Sequence, residues 1–219
     1  MIKRSSIFFG LIFVMLEMGY SEASYGASYV VNGAQIVVSG MLGEEDPFKF
    51  ATELKDHPRI REVVFDNCLG GTGRAGYRFS VIIKERRLGT VARNQCQSSC
   101  ALAFMGGQTR RLSSEPGLNL LLFHGARNLY SNIDLAKIAT EEMVSYVNVL
   151  SGNKLSKQIM ELISKSSRID QGVVIFSQDR RGLRERSTSY CDGMVNGNLY
   201  CEPLQNADPV TLGILTTNR

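Results

Sequence analysis

The stretch NQCQSSCALAFMGG, residues 94–107, places two serines between two cysteines and continues into small and apolar residues. A serine hydroxyl attacks a carbonyl only when a nearby base takes its proton, and the base needs a group that orients it. Acyl transfer also needs backbone N–H groups directed at the developing oxyanion. Ser98 and Ser99 are candidate nucleophiles, because they lie where a predicted strand gives way to a predicted helix. Serine at a helix start is also a common cap, so position alone leaves both roles open.

The candidate base is one of two histidines. His57 precedes Pro58 at the end of a predicted helix, which indicates a surface residue. His124 ends an apolar strand at a sheet edge, where α/β proteins form their sites. The alternative for His124 is a core histidine bound to a backbone carbonyl. Gly70 and Gly71 follow another predicted strand, and glycine leaves its backbone amide accessible to a substrate.

Cysteine pairing is constrained by number and spacing. The chain has five cysteines, so at least one is free or pairs with another chain: Cys68, Cys96, Cys100, Cys191 and Cys201. Cys191 and Cys201 flank an Asn-Gly step that predicts a hairpin, so we expect these two to pair. On a helix, the spacing of Cys96 and Cys100 would bring them onto one face, at a separation that a disulfide tolerates. Cys68 competes for either partner. No histidine is near any cysteine in sequence, and we expect no metal site.

The first 23 residues have the features of a signal peptide. MIKR is a short basic segment, SSIFFGLIFVML is an apolar run too short to span a bilayer comfortably, and small residues precede a predicted cleavage after Ala23. An uncleaved membrane anchor is the alternative. Either form predicts export to the periplasm or out of the cell, where disulfides form.

Composition indicates a globular chain. Hydrophobic residues make up 43%, charged residues 21%, and the formal net charge is +4. No basic stripe alternates with aromatic residues, so we expect no nucleic-acid partner.

Periodicity predicts alternating strands and helices. Two β-branched runs around Asn32-Gly33 predict a hairpin over 28–40, and Asp46 is the expected N-cap of the next helix. A basic turn is expected at 110–111, and the last thirty or so residues are expected to be peripheral. Further strands are expected over 61–68, 88–94, 118–124 and 173–177, and helices over 46–57, 74–86, 98–107, 134–150, 154–165 and 178–182. This βαβ order predicts an α/β domain with a mainly parallel sheet.

The order of these motifs resembles that of a known superfamily. A glycine pair ends one strand, a serine later opens a helix of small residues ending in Met105-Gly106-Gly107, two arginines follow, and an apolar strand ends in His124. This resembles the ClpP/crotonase superfamily, and particularly exported ClpP-like serine hydrolases with a Cys-x-Ser-x-Cys segment, here residues 96–100. The resemblance covers about residues 34–187, with motif matches concentrated in 66–126.

The resemblance implies roles for the residues singled out above. Ser98, the middle serine of the motif, is the implied nucleophile and His124 the implied general base. The Ser99 N–H and that of Gly70 or Gly71 are the implied oxyanion donors.

The acid of the triad is implied by its place in the chain. In the family it lies in a loop shortly before a strand-to-helix step that resembles Phe176-Ser177, which makes Asp170 the first choice. Glu161 and Asp134 are the alternatives. The family's Ser-Pro-Gly-Gly at the oxyanion strand is replaced here by 67–71, Asn-Cys-Leu-Gly-Gly, without proline.

The implied fold is a ClpP/crotonase-like spiral of ββα units over 24–187, followed by a disulfide-linked hairpin and tail over 188–219. The implied function is an exported serine peptidase without cofactor, acting on peptide or protein substrates, with membrane contact only through an uncleaved signal peptide. The resemblance also implies a homo-oligomer.

Three other functions fit parts of the pattern. A catalytically inactive scaffold for binding or assembly keeps the fold without the chemistry. A crotonase-like acyl-CoA enzyme uses a similar oxyanion hole, but CoA is cytosolic. A thiol-redox protein built on Cys96 and Cys100 would need an exposed thiolate of low pKa. A bridge between these cysteines, or one from Cys68, would fix the first helical turn and hold Ser98 in position.

Overall fold

The computed structural model describes residues 26–126, 133–166, 168–177, 187–195 and 198–216. The predicted signal peptide, the predicted helix over 178–182 and the predicted turn at 196–197 lie outside these residues. The described strands are β1 (Ala27–Asn32), β2 (Gln35–Leu42), β3 (Glu62–Gly71), β4 (Gly89–Gln97), β5 (Arg110–Leu112), β6 (Leu120–Phe123), β7 (Gln171–Phe176), β8 (Ser187–Val195) and β9 (Asn198–Pro203). The described helices are α1 (Asp46–Asp56), α2 (Gly73–Glu85), α3 (Ser99–Phe104), α4 (Ile133–Leu150) and α5 (Lys157–Lys165).

All of these strands form a single mixed sheet. Its order is β1-β2-β3-β4-β6-β7-β8-β9, and β5 also pairs with β4. The pairs formed by β2 with β3, β3 with β4, and β4 with β5 and β6 are parallel. The pairs β1–β2, β6–β7, β7–β8 and β8–β9 are antiparallel. The expectation of a ClpP/crotonase-like spiral of ββα units with a mainly parallel sheet is therefore wrong.

The direction of β7 explains the error. A single crossover helix returns the chain to the end of the sheet where the strand began, so the next strand runs parallel. Between β6 and β7 the chain instead passes through two helices, α4 and α5, which pack against each other. Because the pair delivers the chain to the end where β6 finishes, β7 runs back antiparallel. Helical periodicity predicted both helices, but it does not specify at which end of the sheet the chain emerges from them.

The main core lies between one face of the sheet and the helices. Phe50 of α1 stacks on Phe79 of α2, with ring centroids 4.7 Å apart, and both are fully buried together with Phe65 of β3. The β1–β2 hairpin is confirmed, with Gly33 at φ +60° in its turn. None of the described helices is long and apolar enough to cross a membrane.

The start of α1 differs by one residue from the expected one. Glu45 occupies the N-cap position, and Asp46 is the first helical residue and is buried. The Asp46 carboxylate accepts the backbone N–H groups of Ala27, at 2.9 Å, and Gly43, at 2.7 Å. This side chain therefore fastens the edge strand β1 to the start of α1.

The expectations of a basic turn at 110–111 and of a peripheral C-terminus are wrong. Arg110 belongs to β5, is buried, and donates to the carbonyl oxygens of Gly213, at 2.8 Å, and Ile214, at 2.9 Å. Leu212, Ile214 and Leu215 are buried in the main core. These residues lie in a polar stretch of sequence, which did not indicate burial. Their burial depends on the hydrogen bonds from Arg110, which is far away in sequence. The C-terminal hairpin is confirmed as β8 and β9, which extend the sheet beyond β7.

Candidate functional site

Ser98 occupies a sharp turn between a strand and a helix. β4 ends at Gln97, α3 begins at Ser99, and Ser98 lies between them at φ +57° and ψ −125°. An L-residue pays a steric cost in this conformation, which is almost confined to glycine. The strained strand–serine–helix turn is the geometry of a nucleophile elbow, which presents the serine at the edge of a sheet.

The backbone of this turn is held on both sides. The Ser98 N–H donates to the carbonyl of Leu122 at 3.0 Å, and the Ser98 carbonyl accepts from Leu102 at 3.2 Å. The Ser98 hydroxyl makes no capping hydrogen bond to α3. The Ser98 side chain therefore does not cap α3, which was the alternative role for this residue. Ser98 is half-buried.

Ser99 differs sharply from its neighbour. Its side chain is buried, and within the described residues its hydroxyl has no hydrogen-bond partner. A Cβ on Gly76 of α2 would lie 2.8 Å from the Ser99 Cβ, so the serine packs directly on the helix backbone. Ser98, not Ser99, has the accessible hydroxyl. The Ser99 N–H belongs to the first turn of α3, where N–H groups lack partners within the helix.

Gly70 touches the Ser98 turn from the neighbouring strand. It adopts φ +95°, and a Cβ there would lie 2.7 Å from the Ser98 Cβ and 2.8 Å from the carbonyl oxygen of Gln97. Glycine is thus required both by conformation and by space. Gly71 follows at φ +140°, where a Cβ would overlap the carbonyl of Leu42. Since β3 and β4 are parallel neighbours, their carboxyl ends meet at one edge and bring Gly70 to Ser98.

His124 follows β6 at the same edge. β6 is the parallel partner of β4, with Gln97 opposite Leu122, and His124 is the residue directly after the strand. The imidazole is buried, and its Nδ1 lies 2.7 Å from the carbonyl oxygen of Gly125. A carbonyl only accepts, so Nδ1 carries the hydrogen and Nε2 is the basic nitrogen. This tautomer suits a general base, and the same contact is the one expected of a core histidine.

Asp170 lies just before β7 and is held by other partners. Arg168 donates to Oδ1 at 3.0 Å and to Oδ2 at 2.7 Å, and the Met194 N–H donates to Oδ2 at 2.7 Å. Arg168 first, and then the Met194 N–H, lower the pKa of this carboxyl, which therefore stays ionised. These contacts join Asp170 to β8, and its role as the acid of a triad stays a prediction.

The alternative acids and the second histidine are surface groups. Glu161 of α5 is exposed and lies 3.6 Å from Lys157, and Asp134 is exposed in the first turn of α4. His57 lies 3.7 Å from Glu53 and is about half exposed, which confirms it as a surface residue. None of these observations supports a part in the site.

Both expected disulfides are present. Cys96 is bonded to Cys100, Cys191 is bonded to Cys201, and Cys68 is a buried free thiol. The expectation that Cys96 and Cys100 share a helix face is wrong, because Cys96 belongs to β4 and only Cys100 belongs to α3. Disulfides are typical of oxidising compartments outside the cytosol, which confirms that part of the expected localisation. Burial raises the pKa of Cys68 to about 12, although the Gly70 N–H, which hydrogen-bonds its sulfur, lowers it.

Polar residues that the sequence motifs did not single out shape the ends of β3 and β4. Asn67 of β3 and Asn94 of β4 adopt φ +49° and +55°, and the β3–β4 register shifts between Asp66 and Cys68. Asp66 ties the two kinks together, accepting from Asn94 at 2.6 Å and from Arg93 at 3.0 Å. Such bulges redirect strands next to functional sites. The signal was present as a charged residue followed by asparagine, at matching positions in adjacent strands.

Comparison with known proteins adds no relative. No protein-family model matches the chain, and no curated protein matches it either. The family resemblance therefore depends on the motifs alone. Within the described ranges, no group of three or more histidine, cysteine, aspartate or glutamate side chains is arranged to hold a metal ion.

Proposed function

We propose that the protein is an exported serine hydrolase in which Ser98 attacks the carbonyl of a peptide or ester substrate. The observation that carries this proposal is the backbone of Ser98, at φ +57° and ψ −125° between a strand and a helix. Strained conformations persist where the surrounding structure enforces them, and they concentrate at functional sites. The Cys-x-Ser-x-Cys segment supports the same nucleophile, without the fold that the resemblance implied.

His124 is the proposed general base. Its Nδ1–H is engaged by the Gly125 carbonyl, so Nε2 is the atom that takes the proton from Ser98 Oγ and later returns it to the leaving group. A backbone carbonyl can fix the tautomer of an imidazole, as the carboxylate of a triad does. The activity therefore does not require Asp170 to leave Arg168, and Asp170 is kept only as a candidate that orients the base.

The proposed oxyanion donors are backbone amides around the turn. The Ser99 N–H is one, because the first turn of α3 leaves it without an intrahelical acceptor. Gly70 lies against Ser98, and Gly71 follows it at the same edge of the sheet. The N–H of Gly70 or that of Gly71 is the second proposed donor, with the lack of a Cβ at Gly70 leaving the space in which the tetrahedral intermediate forms.

The proposed setting is the periplasm or the extracellular space. The basic and apolar N-terminal segments predict export, and the two disulfides support an oxidising compartment. We expect the substrates to be short or unfolded peptides of that compartment.

A fluorophosphonate probe tests the proposal on the full chain, with peptide mapping of the labelled residue. We expect labelling of Ser98, its loss in Ser98→Ala and strong slowing in His124→Gln. Ser99→Ala is the matched control, because it removes the adjacent hydroxyl, which is buried, and should leave labelling of Ser98 intact. Labelling that survives in Ser98→Ala would rule the proposal out.

A second candidate is a catalytically inactive scaffold for binding or assembly. One observation favours it: both oxygens of Asp170 are held by Arg168. Absence of any labelling in a folded protein with both disulfides intact would decide for this candidate.

A further inference from the structure

Cys68 lies next to a disulfide that encloses Ser98. Cys68 of β3 and Cys96 of β4 are register partners on neighbouring parallel strands. Cys96 is bonded to Cys100, and the loop closed by that bond contains Ser98. All three cysteines are fully buried in the main core. A buried free thiol and a buried disulfide therefore lie at directly paired positions of neighbouring strands.

Cys68 and Cys100 are each close enough to Cys96 to form a disulfide with it. Paired residues of neighbouring strands have Cα atoms about 5 Å apart, and disulfides form at Cα separations of about 4.4 to 6.8 Å. The existing bond joins Cα atoms that are 5.3 Å apart. Cys68 and Cys100 therefore lie at similar Cα distances from Cys96, and either can bond to it. The Cys191–Cys201 disulfide lies elsewhere, in the β8–β9 hairpin.

We propose that Cys68, Cys96 and Cys100 form a thiol–disulfide exchange site that controls the Ser98 turn, an inference that for its effect on catalysis rests on the proposed function. The Cys68 thiol loses its proton and its sulfur attacks the sulfur of Cys96. The Cys68–Cys96 bond forms, the Cys96–Cys100 bond breaks, and Cys100 leaves as a thiolate that takes up a proton. The exchange conserves electrons and protons and needs no external oxidant.

The two isomers hold the site differently. In the isomer of this structure, the bond from Cys96 to Cys100 closes the first turn of α3 against the end of β4. In the other isomer that turn is released, while β3 becomes covalently joined to β4. Since displacement of a reacting group by about 1 Å can cost about 100-fold in rate, the Cys68–Cys96 isomer is the less active form.

The rate of exchange depends on pH. Only a thiolate attacks a disulfide, and burial keeps the Cys68 thiol protonated near neutral pH. Asp46 is the nearby charged group that also disfavours the thiolate. The Cys96–Cys100 isomer is therefore long-lived at neutral pH, and exchange accelerates as the solution becomes alkaline.

Non-reducing peptide mapping of the full chain tests the exchange directly. Oxidised wild type is held at neutral and at alkaline pH without added thiol or disulfide, quenched with acid, alkylated and digested. We expect the Cys96–Cys100 linkage at neutral pH and a growing fraction of Cys68–Cys96 at alkaline pH. Cys100→Ser, oxidised with glutathione disulfide, should form Cys68–Cys96, because the two thiols are oxidised while glutathione disulfide is reduced to two glutathione thiols. Cys68→Ser should keep Cys96–Cys100 at both pH values.

Fluorophosphonate labelling of the same samples tests control of Ser98. Labelling of wild type should fall in proportion to the Cys68–Cys96 fraction, and Cys100→Ser should label about 100-fold more slowly. The fluorophosphonate labelling rate of Cys68→Ser should be the same before and after the alkaline treatment. A double Cys191→Ser, Cys201→Ser variant is the matched control, because it removes a disulfide remote from Ser98.

The outcomes separate this inference from the proposed function. Absence of the Cys68–Cys96 linkage from alkaline wild type, with Cys191–Cys201 intact as the sign of a folded and oxidised chain, overturns the exchange even when Cys100→Ser fails to fold. Exchange with unchanged labelling overturns the control of Ser98. If no sample is labelled, the hydrolase proposal fails, and the mapping still decides whether exchange occurs.

Discussion

Replacing Ser98 with glycine should make the protein more stable and at the same time abolish its labelling by fluorophosphonates. The backbone of Ser98 lies at φ +57° and ψ −125°, where the side chain, not the hydroxyl alone, causes the strain. Glycine adopts this conformation without steric cost. Ser98→Ala is the matched variant, because it loses the hydroxyl but keeps the Cβ.

The size of the effect follows from the conformation. A non-glycine residue held in such a conformation destabilises the folded state by about 1 to 3 kcal/mol. Glycine removes this strain, but its greater conformational freedom in the unfolded chain offsets about 0.5 to 1 kcal/mol of the gain. We therefore expect Ser98→Gly to raise the free energy of unfolding by about 1 kcal/mol, which is about 3 °C in Tm for a chain of this size. Ser98→Ala should remain within about 0.5 kcal/mol of wild type.

Urea titration under oxidising conditions measures both variants, and probe labelling is recorded on the same preparations. Arg87→Gly supplies a second control, since Arg87 also has a positive φ, of +53°, but lies beyond the end of α2. It should also stabilise the protein and leave labelling unchanged. The reasoning is refuted if Ser98→Gly is no more stable than Ser98→Ala, because the turn is then not strained by the side chain.

Three further outcomes are expected. Gly70→Ala places a Cβ 2.7 Å from that of Ser98 at a positive φ. This variant should be destabilised by about 2 kcal/mol and should show little fluorophosphonate labelling. Normal labelling would show that the contact between residues 70 and 98 is not tight. Burial raises the pKa of Cys68 from its ordinary 9.0 to about 12, so folding favours the protonated thiol, and this stability is complete below about pH 9 and is lost as the pH rises towards 12. Wild type should therefore lose unfolding free energy more steeply than Cys68→Ala above about pH 9 in rapid urea titrations, and parallel curves would contradict the assignment. Arg110 donates buried hydrogen bonds to the C-terminal carbonyls of Gly213 and Ile214 and to the carbonyl of Gly107. Arg110→Lys removes part of this fork, so it should cost about 2 kcal/mol and speed hydrogen exchange at Ile214. Unchanged exchange there would mean that hydrophobic burial alone holds the segment.

Much of the fold was predictable because its signals are local. The Asn32-Gly33 turn, the periodicity of α2 and α4, and the apolar run of β6 each specify an element within a short window. The Asn-Gly step between Cys191 and Cys201 predicted both a hairpin and a disulfide, which the structure contains. The position of Ser98 between a strand and a helix was also readable, since both flanking patterns are local.

The remaining features depend on contacts between distant parts of the chain. The direction of β7 follows from where two packed helices deliver the chain, and the burial of 212–215 depends on Arg110, about a hundred residues away in sequence. The hydrogen bond from the Met194 N–H of β8 to Asp170 likewise depends on which strand lies beside it, whereas the other partner of Asp170, Arg168, is local in sequence.

Sequence by itself thus determined the candidate residues for the proposed chemistry and the local elements on which they lie, because turn chemistry and periodicity act over a few residues. Only the tertiary structure decided that the Ser98 hydroxyl is the accessible one, that Gly70 must be glycine, and that the Cys68 thiol lies beside the Cys96 disulfide. Those properties are set by packing between β3, β4 and α2, and packing at this distance is not encoded in any short stretch of the chain.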